Sequence, residues 1–241
     1  MYDSQSALIE ILKIHRNPNL EKFSRSLIPD ADAIIGVYSA DLAAFAGDII
    51  KSGEYLKVLD FPYNVCHECD IIKGMIIRRA KLPLGDKLPY MEKYASHIKN
   101  WAVCDAAAVK VKSSEKQELL EFADKLIATG KEFNIRYALV LLKCNFADTA
   151  ADAAVCFDRL ERLEYGAYNA DMAAAWLLSE IYIKNPSDSA AENIAAEYLM
   201  QSKRVNEFTF RKALSKITDS KRVSDIQKEE IRQLRKTVFN D

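Results

Sequence analysis

The sequence predicts an all-α fold of stacked helix pairs, on three observations. Turn formers are scarce: 241 residues hold 7 Gly and 6 Pro, too few for a fold of many short strands. Alanine is clustered, as in Ala106–Ala108 and Ala173–Ala175. It is the best helix former, and its small side chain lets helices approach closely. Apolar residues recur at helical spacing, separated by short breaks and by no long loop.

Each element follows from that spacing. Leu8, Ile11, Leu12 and Ile14 lie near one face of a first helix, interrupted by Asn17-Pro18-Asn19. Ser39 reads as an N-cap, followed by Leu42, Phe45, Ala46, Ile49 and Ile50 and closed by Ser52-Gly53. A short element runs from Gly53 to Phe61 and ends at Pro62. Ile71, Ile72, Met75 and Ile76 form a stripe on a helix spanning Cys66 to Arg79, and Pro83 and Gly85 break the chain again. Further helices are expected over 86–98, 100–109, 114–128, 132–146, 150–163, 168–184, 188–202, 206–217 and 224–237. The run Tyr137–Leu142 is the strongest strand alternative, and its surroundings favour a helix. No low-complexity stretch divides the chain, which is read as a single domain, 1–241.

Composition narrows the function classes. Met1-Tyr2-Asp3-Ser4 does not read as a secretion signal. No apolar segment approaches the roughly 18 to 20 residues of a membrane span. Five cysteines without framework spacing suit a reducing cytoplasm. Net charge is −1, yet residues 203–236 hold 11 Lys or Arg against 5 Asp or Glu, a local +6. Such a run reads either as a solvated face or as a phosphate-binding rim. Cys66-His67-Glu68-Cys69 is the one C-x-x-C spacing. No second ligand pair accompanies it, so buried packing is favoured over metal or redox chemistry. Phosphate-binding glycine loops of the nucleotide-binding types are absent.

Several ordered segments together resemble the AlkD-type DNA alkylation repair enzymes. They are Gly36-Val37-Tyr38-Ser39-Ala40-Asp41-Leu42, His67-Glu68 leading into Met75-Ile76-Ile77, and, most specifically, Ile98-Lys99-Asn100-Trp101-Ala102-Val103-Cys104-Asp105. Phe133-Asn134-Ile135-Arg136-Tyr137-Ala138 follows, then Tyr168 to Leu178, then Arg211-Lys212-Ala213-Leu214 with Ser220-Lys221-Arg222-Val223. The resemblance implies a right-handed superhelical solenoid of HEAT-like repeats, C-shaped, whose concave face cradles duplex DNA. It also implies excision of N3- and N7-alkylated purines, with no metal or other cofactor and a monomer as the working unit. Where that family often carries Arg after Gly36-Val37 and then a Leu-Arg pair, Tyr38 and Leu42-Ala43 stand here.

Residue by residue, Asp105 matches the family's catalytic aspartate. Trp101 lies four residues before it and so on the same helical face. A cationic purine leaves without much protonation; the barrier is the positive charge growing on the deoxyribose, which one fixed carboxylate can stabilise. An ordinary aspartate in a helix's first turn is the alternative. The resemblance places Trp101 and Trp176 beside the lesion sugar, where aromatic faces suit C–H groups and cationic character; core packing is the alternative. Arg136 matches a backbone-contacting Arg, with a salt bridge to Glu132 as the alternative. Arg211, Lys212, Lys216, Lys221 and Arg222 fall where phosphates are met, with Arg232, Arg235 and Lys236 extending the rim. A non-catalytic helical scaffold binding DNA or protein is the competing function.

Overall fold

A computed structural model describes residues 2–29, 31 and 33–237, the last three without their side chains. Among the described residues there are 14 α-helices and no strand. Contacts divide the chain into two compact units, Met1–Lys110 and Val111–Asp241.

The first unit holds α1 (Gln5–Ile14), α2 (Pro18–Leu27), α3 (Ser39–Ser52), α4 (Tyr55–Leu59), α5 (His67–Arg79), α6 (Leu84–Ala95) and α7 (Trp101–Ala106). α5 is its centre, packing against α1, α3, α4, α6 and α7. It is buried on nearly all sides and therefore shows little amphipathic contrast. The core around it includes Leu8, Leu12, Leu42, Ile49, Ile72, Ile76 and Met91, each worth about 1.5–3 kcal/mol on full burial.

The second unit holds α8 (Lys116–Ala128), α9 (Glu132–Asn145), α10 (Ala150–Glu161), α11 (Tyr168–Lys184), α12 (Ile194–Gln201), α13 (Glu207–Asp219) and α14 (Asp225–Thr237), with a short 3-10 turn at Ser113–Glu115. α8, α9, α11, α13 and α14 pack in that succession, the pattern of a helical-repeat fold. Tyr137–Leu142 lies inside α9 and is buried throughout, so the helical reading of that run holds.

Several boundaries differ from the sequence expectation, and four of the differences have a local reason. The Asn17-Pro18-Asn19 break starts a helix. Asn17 Oδ1 accepts the N–H groups of Asn19 and Leu20, both at 3.0 Å, and Pro18 takes the first helical position, where no N–H is needed. Ser39 is the first residue of α3 rather than its cap; Tyr38 precedes it and makes no side-chain capping bond. Gly85 lies within α6, which follows Pro83 directly. The expected helix 188–202 starts only at Ile194. The Asn193 amide donates to the carbonyls of Tyr182 (3.0 Å) and Asn185 (2.7 Å), tying the preceding turn to the end of α11.

Alkaline pH is expected to weaken the fold. Burial, reinforced by nearby carboxylates, raises the phenol pKa of Tyr63 and Tyr165 and pushes Tyr182 up to about 12. Burial and the neighbouring Tyr165 raise that of Tyr198. A pKa raised in the folded state means the native protein holds protons that the unfolded chain releases above about pH 10, so stability falls as pH rises through that range. Buried Lys73 acts in the opposite sense, because desolvation lowers its pKa against the attraction of Asp70. Four phenols outweigh one amine. Urea midpoints at pH 8 and near pH 11 should show a lower midpoint at the higher pH, with tyrosinate absorbance increasing on unfolding.

Candidate active site

The first unit carries an open pocket of about 530 Å³, within the range of small-molecule sites. Its walls come from α2, the Val37–Ser39 turn, α5 and α7. Most of the wall is apolar, with Phe23, Leu27, Ile71, Met75 and Trp101 prominent. The polar groups are Ser24, Tyr38, Ser39, His67, Glu68, Arg78 and Asp105.

α7 brings Trp101 and Asp105 to this cavity. It has only six residues, far below the length that holds a helix in water. Asn100 caps it, its Oδ1 accepting the Val103 N–H at 3.0 Å. Val103, Cys104 and Ala106 face inward, while Trp101 and Asp105 share the face turned to the cavity. Trp101 is 39% exposed, too open for a core residue. Asp105 is half-buried and sits in the last turn of the helix, not the first. The alternative of an ordinary first-turn aspartate is therefore corrected. At a C-terminal turn the helix dipole disfavours a carboxylate, so helix chemistry gives no reason for it to be there.

Two further groups build the cavity wall, and sequence reasoning assigned neither. Glu68 is buried, 2% exposed. Its carboxylate accepts the N–H of Ile35 at 3.0 and 3.1 Å and that of Gly36 at 2.7 Å. Gly36 has φ +86°, and a Cβ there would strike the Asn17 carbonyl and the Glu21 backbone at 2.6 Å. This close approach seats the start of α2 against the turn that carries Tyr38, whose hydroxyl also accepts from the Asn17 amide at 3.0 Å. Arg78, exposed at the end of α5, is the cation at the cavity rim.

Cys66 and Cys69 are both buried with free thiols. The neighbouring Cys66 thiol and burial hold the Cys69 pKa well above its usual range, so this sulfur stays protonated and poor at ligation or attack. Among the described residues, no group of three or more His, Cys, Asp or Glu is placed to hold a metal ion, and no helix is long and apolar enough to cross a membrane.

The remaining sequence candidates belong to the second unit. Trp176 on α11 is half-buried, with the Lys143 ammonium 3.0 Å and that of Lys216 5.7 Å from its ring centroid. Arg136 is buried at 6% exposure and donates to the Asn169 carbonyl at 3.1 Å. Glu132, the partner considered for Arg136, accepts the Asn169 N–H at 2.6 Å at the start of α11. Arg211 pairs with Glu207 at 2.5 Å, and Arg222 with Glu180 at 2.9 Å. Lys212 lies 5.7 Å from the Phe208 ring, Lys221 is exposed, and Arg232 pairs with Glu229 at 3.1 Å. The side chains of Arg235 and Lys236 lie outside the described residues. Carboxylates thus temper part of the local +6, and Glu180, 42 residues from Arg222, was not visible as its partner.

The chain matches the family model of the DNA alkylation repair enzymes over residues 8–217, and it belongs to that family. It is thus a DNA repair enzyme by family, with DNA as its partner. Comparison with curated proteins and with solved structures gave no significant match.

Proposed function

We propose that the protein is a DNA glycosylase that hydrolyses the N-glycosidic bond of cationic N3- and N7-alkylated purines in duplex DNA, working as a monomer on a HEAT-like helical solenoid. The observation that carries this reading is Asp105: a carboxylate at the unfavourable end of a short helix, opening with exposed Trp101 onto a mostly apolar cavity. The bond from C1′ to the purine nitrogen breaks and its electron pair neutralises the departing base. The positive charge passes to the deoxyribose. Asp105 stabilises that charge and orients a water, which adds at C1′ and loses a proton to leave an abasic sugar. Trp101 and Trp176 present aromatic faces to the sugar. Arg136, Arg211, Lys212, Lys216, Lys221 and Arg222 serve the phosphate backbone, which needs no sequence readout.

The test is release of free 7-methylguanine or 3-methyladenine from methylated duplex by the purified wild type. Binding without release would favour the second reading, a non-catalytic helical scaffold, for which the carboxylate pairing of Arg211 and Arg222 speaks.

Arg78 adds a prediction that sequence reading did not reach. Arg78→Ala is expected to weaken binding to all duplexes alike and to reduce the slope of log affinity against log salt by about 1. Fluorescence anisotropy across a salt series checks it; an unchanged slope would remove Arg78 from the phosphate contacts.

A further inference from the structure

We propose that Tyr94, seated against Gly74, is a positioning residue that sets α7 and through it Asp105 and Trp101; the proposal rests on the reading of the cavity as the active site. Six residues cannot hold their own place, so the seat must come from outside α7. Tyr94 lies near the end of α6, 1% exposed. Its hydroxyl is 2.7 Å from the Val103 carbonyl on α7 and 3.0 Å from the Asp70 carbonyl on α5. One phenolic proton is thereby shared by the two helices whose residues line the cavity. At the end of α7 the Ala107 N–H reaches Cys104 O, and the Tyr94 hydroxyl gives the Val103 carbonyl a donor from a neighbouring helix.

Gly74 makes the arrangement possible. A Cβ at this position would strike the Tyr94 hydroxyl and press within 3.0 Å of the Ala106 Cβ. The absent side chain lets the α7 backbone lie close against α5 with the phenol reaching the carbonyls. The far end is fixed as well. Asp70 accepts from Lys73 Nζ at 3.0 Å and from the Asn64 N–H at 2.9 Å, and Lys73 donates to the Pro62 carbonyl at 2.7 Å. The chain of contacts runs from a rigid buried ion pair through Tyr94 to the helix bearing the carboxylate.

Tyr94→Phe keeps the ring and removes only the bridging oxygen. Displacing a reacting group by a fraction of an ångström to 1 Å can cost up to about a hundredfold in rate, so the single-turnover rate constant for base release should fall about tenfold while KM stays within about twofold. A second readout is independent of activity. In a Trp176→Phe background Trp101 is the remaining tryptophan, and Tyr94→Phe should shift its emission and its acrylamide quenching. Gly74→Ala should lower the urea midpoint, and Tyr94→Phe in the same chain should recover part of that loss, because the struck atom is gone. Unchanged Trp101 emission together with an unchanged rate overturns the proposal, as does a loss of helical circular dichroism by Tyr94→Phe, which would make Tyr94 a general structural residue. If wild type releases no base, the glycosylase reading fails by itself, and the Trp101 emission and the double-variant recovery still decide the seating of α7.

Discussion

Asp105→Asn should abolish base release in practice while leaving duplex affinity within a few-fold of wild type. The substitution keeps shape and hydrogen-bonding capacity and removes only the negative charge. In the ground state a neutral or cationic base and an intact sugar gain little from that charge; in the transition state the sugar carries most of a positive charge beside it. An interaction made mainly in the transition state appears in the rate and not in binding. Removing one pre-organised electrostatic contact of this kind costs about a hundred- to a thousandfold, or roughly 3–4 kcal/mol. Asp105→Glu retains the charge on a longer arm and should fall between the two. Chromatography of released base under single-turnover conditions gives the rates; anisotropy gives the affinities. Equal loss of binding and rate would mean that Asp105 serves the structure and not the chemistry.

Glu68→Ala should destabilise the first unit strongly, by about 3 kcal/mol or more. Two backbone N–H groups, Ile35 and Gly36, are buried with the Glu68 carboxylate as their acceptor. Bonds to a charged acceptor contribute about 1.5–3 kcal/mol each, and stranding the donors adds their desolvation. For a chain of this size the melting temperature should drop by roughly 6–12 °C. The consequence reaches the cavity, because the same turn carries Tyr38 and meets Asn17 at the head of α2, whose N–H donates to Gly36 O at 2.8 Å. Glu68→Gln retains one acceptor oxygen and should lose less. A Glu68→Ala melting temperature equal to wild type would show that the turn is held by something else.

The helical class was legible because Ala content, sparse Gly and Pro, and apolar spacing all pointed one way. So was the pairing of Trp101 and Asp105 on one helical face, which is a matter of i and i+4. The cavity they open onto was not. α2 was read as a break because Asn-Pro is a turn signal and a helix-start signal at once, and only the capping geometry of Asn17 separates the two. Glu68, Asp70 and Lys73 look like surface residues of an amphipathic helix, yet α5 is enclosed by neighbours on several sides and turns them into internal supports. The same enclosure blurs the pattern of α9 and α11. Long-range ion pairs such as Arg222–Glu180 leave no local signature, so the basic segment looked freer than it is.

In the proposed chemistry a fixed negative charge assists the loss of bases that are already positive. The direct measurement compares wild-type release of 7-methylguanine with release of neutral hypoxanthine from duplexes of otherwise identical sequence. Release of the cationic base and none of the neutral one is expected, since a single carboxylate supplies no proton to a poor leaving group. Comparable release of both, or release of hypoxanthine alone, would contradict it.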